Sequence, residues 1–185
     1  MPADPASLRI HRYPEPILRK KAAPIERITD ETRAVAERII QMMYDSEGIG
    51  LAAPQVGLSW RMFVVHVHED ENRSAASEPP SANLSPEVFI NPILSNPTGP
   101  VEPYDEGCLS LPDIHGQVQR PPIITITATG LDGKQFTRTG SGLLARCWQH
   151  ENDHLDGVLI IDRMMQMSRL KCRSAIRDLE RDFEG

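Results

Sequence analysis

Residues 123–157 read IITITATGLDGKQFTRTGSGLLARCWQHENDHLDG. From 123 to 129 the side chains alternate between apolar and polar, the period of a half-buried strand. Asp132-Gly133 then predicts a tight turn, with 135–138 returning as the second arm of a hairpin. Beyond it the period changes, and 141–155 reads as a helix closed by Gly157. A hairpin that runs directly into a helix points to strands and helices kept apart, without βαβ alternation.

On the N-terminal side, residues 1–28 are Pro-rich, and Pro14, Pro16 and Pro24 break any helix there. Thr29 or Asp30 suits an N-cap, and Val35, Ile39, Met42 and Met43 follow at helical spacing toward a stop at Gly48. The segment 48–57, GIGLAAPQVG, is too Gly-rich for a helix and too apolar for a solvent loop. Residues 60–67 read as a strand with Phe63, Val65 and Val67 on one face, and 88–94 as another. Between them, 69–86 is polar, contains Pro79 and Pro80, and is expected to be a mobile surface loop. A C-terminal helix is expected over 164–183. The fold class is therefore α+β: one compact domain over 1–185, with small, mainly antiparallel sheets around the helix at 141–155.

The net charge of -6 gives no general attraction to nucleic acid or anionic lipid. No apolar run approaches the roughly 18 residues of a membrane span, and no secretory leader is recognisable. Cys108, Cys147 and Cys172 are odd in number, widely spaced and without a CxxC pair. They suit free thiols in a reducing cytoplasm better than a disulfide framework.

His150-Glu151-Asn152-Asp153-His154 is an HExxH. Positions four apart share a helical face, so His150 and His154 can grip one ion, with Glu151 beside it as proton acceptor. A hydrolytic site needs a third protein ligand and one open position. The sequence after His154 lacks the further histidine of a metzincin. Glu180 would serve as a zincin-type ligand but falls on what reads as a separate helix. Cys108, in EGCLS at 106–110 between expected strands, is the better candidate, although a lone cysteine is more often a small buried apolar residue. His66 and His68 share a strand face without a third partner and read as a solvated strand end, and His11 has no constellation around it.

Taken together, GIGLAAPQVG at 48–57, EGCLS at 106–110 and QHENDHLDG at 149–157 resemble the three signature motifs of the peptide deformylases, in the family's order. Tyr13-Pro14-Glu15-Pro16-Ile17-Leu18-Arg19 resembles the family's N-terminal segment, and the resemblance covers most of 10–165. It implies a metal-dependent hydrolase that removes the formyl group from nascent formyl-Met polypeptides and releases formate. It also implies metal on Cys108, His150 and His154, Glu151 as general base and then acid, and oxyanion donors from Gln55 and the Leu109 N–H. Ile49, Gly50 and Gly107 would border the peptide, which the family binds as an added strand. Leu143 and Cys147 share a helical face with His150 and are candidates for the first-side-chain pocket, with core packing an equal alternative for Cys147. Some family members carry an Arg at the position of His115, where it contacts the substrate backbone; His115 departs from that pattern, and Arg120 lies in the same stretch. The native ion implied is Fe(II), with Zn(II), Ni(II) or Co(II) able to replace it.

Arg169, Arg173, Arg177 and Arg181 form a stripe opposite Leu170, Ile176, Leu179 and Phe183. Deformylases of the helical-tail kind dock on the ribosome through this helix, and a phosphate-contacting stripe is consistent with that. Local pairing with Asp178, Glu180 and Asp182 would instead leave a bland solvated face. No sequence-specific nucleic-acid contact is expected. Two rivals remain at this stage. One is an endopeptidase using the same HExxH, and the other is a non-catalytic relative, which would be expected to lack Glu151, Gln55 or Cys108.

Overall fold

The computed structural model describes residues 3–184; Met1, Pro2 and Gly185 lie outside the described residues. The helices are α1 (Asp30–Asp45), α2 (Gly142–Leu155), α3 (Ile160–Arg163), α4 (Gln166–Lys171) and α5 (Arg173–Glu184). The strands are β1 (Gly50–Ala52), β2 (Met62–Val65), β3 (Glu87–Thr98), β4 (Glu102–Cys108), β5 (Leu111–Arg120), β6 (Ile123–Thr129) and β7 (Gln135–Ser141). They form a five-stranded sheet in the order β1-β2-β3-β6-β7 and a separate β4-β5 hairpin, with every named pairing antiparallel. The expected α+β architecture is observed.

Strand β2 explains the layering. It is buried on both faces, so alternate residues feed two cores. Phe63 and Val65 pack with Phe89, Ile126, Leu144, Ala145 and Trp148, which seats α2 on one face of the sheet. Met62 and Val64 pack with Ile90, Val35, Ile39 and Met43, which seats α1 on the other. The metal-motif helix is thus one outer layer of a sandwich whose middle is the sheet. A third cluster joins Leu111, Ile114 and Val118 of β5 to Leu18, Leu159, Ile160, Ile161 and Met164, and so fixes the hairpin. Each large side chain fully buried in these clusters contributes about 1.5–3 kcal/mol.

The ends of α1 and α2 follow their local chemistry. The Thr29 hydroxyl accepts from Thr32 N–H at the start of α1. Gly157 closes α2 at φ +73°. A Cβ there would meet the Arg19 carbonyl oxygen at 2.5 Å, so glycine is needed for both conformation and space.

Two expectations change. The C-terminal helix foreseen over 164–183 is split into α4 and α5. Met165 N–H is drawn to Gln117 O on β5 (2.8 Å), which delays the start to Gln166. The break at Cys172 accompanies a contact from its thiol to His115 O (3.1 Å). Leu170 and Phe183 are more than half exposed, so only Ile176 and Leu179 of the expected apolar face pack inward. The 69–86 stretch is irregular as foreseen, but its returning limb belongs to the core. Ala82 is buried, and Asn83 bonds Val65 O and Val67 N–H.

Candidate active site

The α2 helix places His150 and His154 one turn apart, with their Nε2 atoms 3.3 Å from each other. The third donor arrives from the hairpin. Between Gly107 and Cys108 the β4-β5 register jumps, so that Gly107 faces His115 while Cys108 faces Leu111. Residues 112–114 are left without a cross-strand partner there, with Asp113 at φ +59°. The bulge re-aims Cys108, whose Sγ lies 3.2 Å from His154 Nε2.

These three donors fit a metal ion. One ligand atom from each of Cys108, His150 and His154 lies within 4.8 Å of the other two. A tetrahedral ion with bonds of about 2.0–2.3 Å sets its ligands roughly 3.3–3.6 Å apart, close to the two separations above. His150 Nδ1 lies 3.2 Å from Glu106 Oε2, so a proton held there leaves Nε2 as a free lone pair. Burial works against charge on His150, but the Cys108 and Glu106 side chains outweigh it and hold its pKa well above the usual imidazole value. His154 is held well below that value, by burial and then by the His150 ring.

Glu151 is buried, and its Oε2 has no hydrogen-bond partner among the described residues. Burial pushes its carboxyl up to about 7. Gly50 of β1 lies directly against it: a Cβ there would fall 2.4 Å from Glu151 Oε1 and 2.8 Å from Cys147 Sγ. Only a glycine lets the strand come this close to the carboxylate. Gln55 stands on a 3-10 turn, Ala53–Val56. Its Oε1 accepts from Ala52 N–H (2.8 Å), which turns its amide nitrogen toward Cys108 Sγ (3.5 Å) and Ser110 Oγ (3.2 Å). Among the described residues, no protein group takes the Leu109 N–H.

One cavity of about 920 Å³ joins these parts. Ile49, Gly50, Gln55, Gly107, Leu109, Leu143 and Cys147 all line it, together with Cys108, His150 and Glu151. The structure therefore brings together every anticipated site residue, with His154 buried behind the others. Cys147 answers to both of its readings, since it is part of the core and also lines the cavity; burial raises its pKa well above the ordinary thiol value and keeps it protonated.

Sequence reasoning missed what holds the donors in place. Glu106 Oε1 accepts from Arg120 Nε (2.8 Å) and Arg146 Nη1 (2.9 Å), while Oε2 accepts from Arg120 Nη2 (2.9 Å). Arg120 also donates to Asp153 (2.8 Å), and Arg163 closes on the other Asp153 oxygen (2.7 Å). Burial alone would raise the Glu106 pKa, but His150 and Arg120 hold it far below the usual carboxylate range. Glu106 is two residues from Cys108 on one strand, and Arg146 is four before His150 on one helix. That same-face spacing was the available signal. Arg120 thus belongs to a buried ion network and not to the substrate rim, whereas His115 does line the cavity.

Glu180, the alternative third ligand, instead accepts from Tyr13 Oη (2.6 Å). The His66 and His68 rings lie close, with centroids 3.9 Å apart and planes tilted by 48°, but His66 bonds the Tyr44 hydroxyl (2.6 Å) and is buried rather than solvated. Among the described residues they gather no third ligand.

Comparison with known proteins agrees with this arrangement. Residues 7–170 match the polypeptide deformylase family. A peptide deformylase of Agrobacterium fabrum is 42% identical over 157 residues, covering 84% of this chain and 86% of that protein. One of Novosphingobium aromaticivorans is 39% identical over 184 residues, covering 93% and 95%. The crystal structure of the peptide deformylase from Ehrlichia chaffeensis superposes with a TM-score of 0.85 at 28% identity, over 96% of this chain and 97% of that one.

Proposed function

Because the chain belongs to the peptide deformylase family, and so is a metal-dependent hydrolase that removes the N-formyl group from new polypeptides, we propose that Cys108, His150 and His154 hold its divalent ion while Glu151 moves the proton. The observation that carries this is the convergence of one sulfur and two imidazole nitrogens beside an unpartnered buried carboxylate oxygen. When bound, the ion supplies a Lewis acid that polarises a carbonyl and lowers the pKa of water. Glu151 Oε2 takes the proton of the water that attacks the formyl carbon. The Gln55 amide and the Leu109 N–H donate to the oxygen on which charge develops. Glu151 then returns the proton to the leaving nitrogen, and formate and a free amine separate. The β1 strand is an edge of the five-stranded sheet, so the peptide can pair with it as an added strand along Ile49 and Gly50, with Gly107 across the cleft. Leu143 and Cys147 then face its first side chain.

Fe(II) is the native ion in this reading, and the same mixed donor set accepts Zn(II), Ni(II) or Co(II). The test is anaerobic purification with metal analysis, followed by offering formyl-Met peptide and unblocked peptide side by side. Formate from the first and an intact second are expected. Cleavage of internal bonds would move the assignment to an endopeptidase.

No helix among the described residues is long and apolar enough to cross a membrane. The three free cysteines support a cytoplasmic site of action. Docking on the ribosome finds support in the C-terminal region, where Arg169, Arg173 and Arg177 join Arg19 around a cavity of about 420 Å³. Among the described residues, the local pairing of the other reading is seen for Arg181, which bonds Asp178, and for none of Arg169, Arg173 and Arg177. Changing Arg169, Arg173 and Arg177 to Glu is expected to abolish co-sedimentation with ribosomes while leaving formate release intact. Unchanged co-sedimentation would remove the docking role.

A further inference from the structure

Arg146 sits on α2 one turn before His150, and its side chain is almost wholly buried. Nη1 donates to Glu106 Oε1 (2.9 Å) and to Val118 O on β5 (3.0 Å), while Nη2 donates to Glu102 O on β4 (2.9 Å). One guanidinium therefore ties both strands of the ligand-bearing hairpin to the ligand-bearing helix. Its planar fork suits three acceptors at fixed angles, which an ammonium does not reproduce. The guanidinium also lies over the Tyr104 ring, 5.1 Å from its centroid. Tyr104 is half exposed on β4, belongs to none of the three core clusters, and lines the cavity with Leu143, Arg146 and Cys147.

We infer that Arg146 is a positioning residue that sets two things together: the wall of the first-side-chain pocket, through Tyr104, and the orientation of His150, through Glu106. The physical basis is that both depend on one side chain. Tyr104 has an aromatic face held by the cation. Glu106 keeps its contact with His150 while two guanidiniums share its other lone pairs. The consequence is a coupling between side-chain recognition and the metal centre. Loosening Arg146 broadens the pocket and weakens the ion's hold at once.

This inference rests on the site assignment above, and its test separates the two. Arg146→Met, Arg146→Lys and Tyr104→Ala are compared with the wild-type holoenzyme in two measurements. The first is the ratio of kcat/KM for formyl-Met and formyl-Ala tripeptides. The second is Zn(II) affinity by chelator competition, which needs no turnover. Arg146→Met is expected to lose roughly tenfold in the Met/Ala ratio and roughly tenfold or more in Zn(II) affinity. Tyr104→Ala is expected to lose the selectivity alone. Arg146→Lys keeps a cation near Glu106 without the fork, so it should retain most of the Zn(II) affinity and lose selectivity; it carries the test if Arg146→Met does not fold. Wild-type selectivity in both Arg146 variants, or unchanged Zn(II) affinity in a folded Arg146→Met, overturns the inference. Failure of the wild-type enzyme to release formate would instead strike the site assignment, while the competition arm still reads the role of Arg146 toward the ion.

Discussion

Glu151→Ala is expected to bind its metal normally and to lose at least roughly a thousand-fold in kcat/KM, about 4 kcal/mol of transition-state stabilisation. Metal retention follows because the three proposed donors are Cys108, His150 and His154, and none of their contacts runs through the Glu151 carboxylate. Loss of rate follows because Oε2 is the buried acceptor left without a protein partner beside them. In the proposed mechanism the Gln55 amide and the Leu109 N–H only donate to negative charge and take no proton. Folding should be unaffected or slightly improved, since removing a buried carboxylate removes a desolvation cost. Metal analysis with a formate assay on the same preparation decides the matter. Near-normal turnover by metal-loaded Glu151→Ala would retire the assigned role.

Cys108→Ala is expected to fold, to lose its ion on dialysis, and to release formate only at background. Two imidazoles one helical turn apart are too few ligands for a stable hydrolytic site. The hairpin does not depend on the thiolate for its position. Glu106 ties it to Arg146 of α2 and Arg120 ties it to Asp153 of α2, and Leu111, Ile114 and Val118 pack it against α3 and the N-terminal segment. Thermal melting and far-UV circular dichroism should therefore stay near wild type when both proteins are compared without metal. Stoichiometric metal in dialysed Cys108→Ala, with turnover intact, would show that another group completes the site.

These outcomes trace back to unequal legibility along the chain. The helix around His150 and His154 was readable because its periodicity, its turn chemistry and its C-terminal glycine all agree. The hairpin of 123–129 with 135–138 was readable for similar reasons, although its second arm runs on to Ser141. Cys108 was harder. A single thiol carries no local pattern that separates a ligand from a core residue; its place between expected strands made it the better candidate, and the joint resemblance of three motifs then selected it. The C-terminal helix was misread as one piece because its late start and its break accompany contacts to a distant strand, Met165 N–H with Gln117 O and the Cys172 thiol with His115 O. The limb around Asn83 was misread because a polar side chain that satisfies two buried backbone groups looks like an ordinary loop residue in sequence.

The order of residues by itself determined the α+β class, the helix that presents two imidazoles on one face, and the chemical types assembled at the site. These depend on periods of two and of three to four residues and on the turns between them, all local to the chain. Only the tertiary structure decided that a bulge aims Cys108 at His154, that Gly50 lets a strand touch Glu151, and that Arg120 and Arg146 share the charge of Glu106. Such contacts join segments as many as a hundred residues apart. Their existence depends on how the cores pack, which no local pattern encodes.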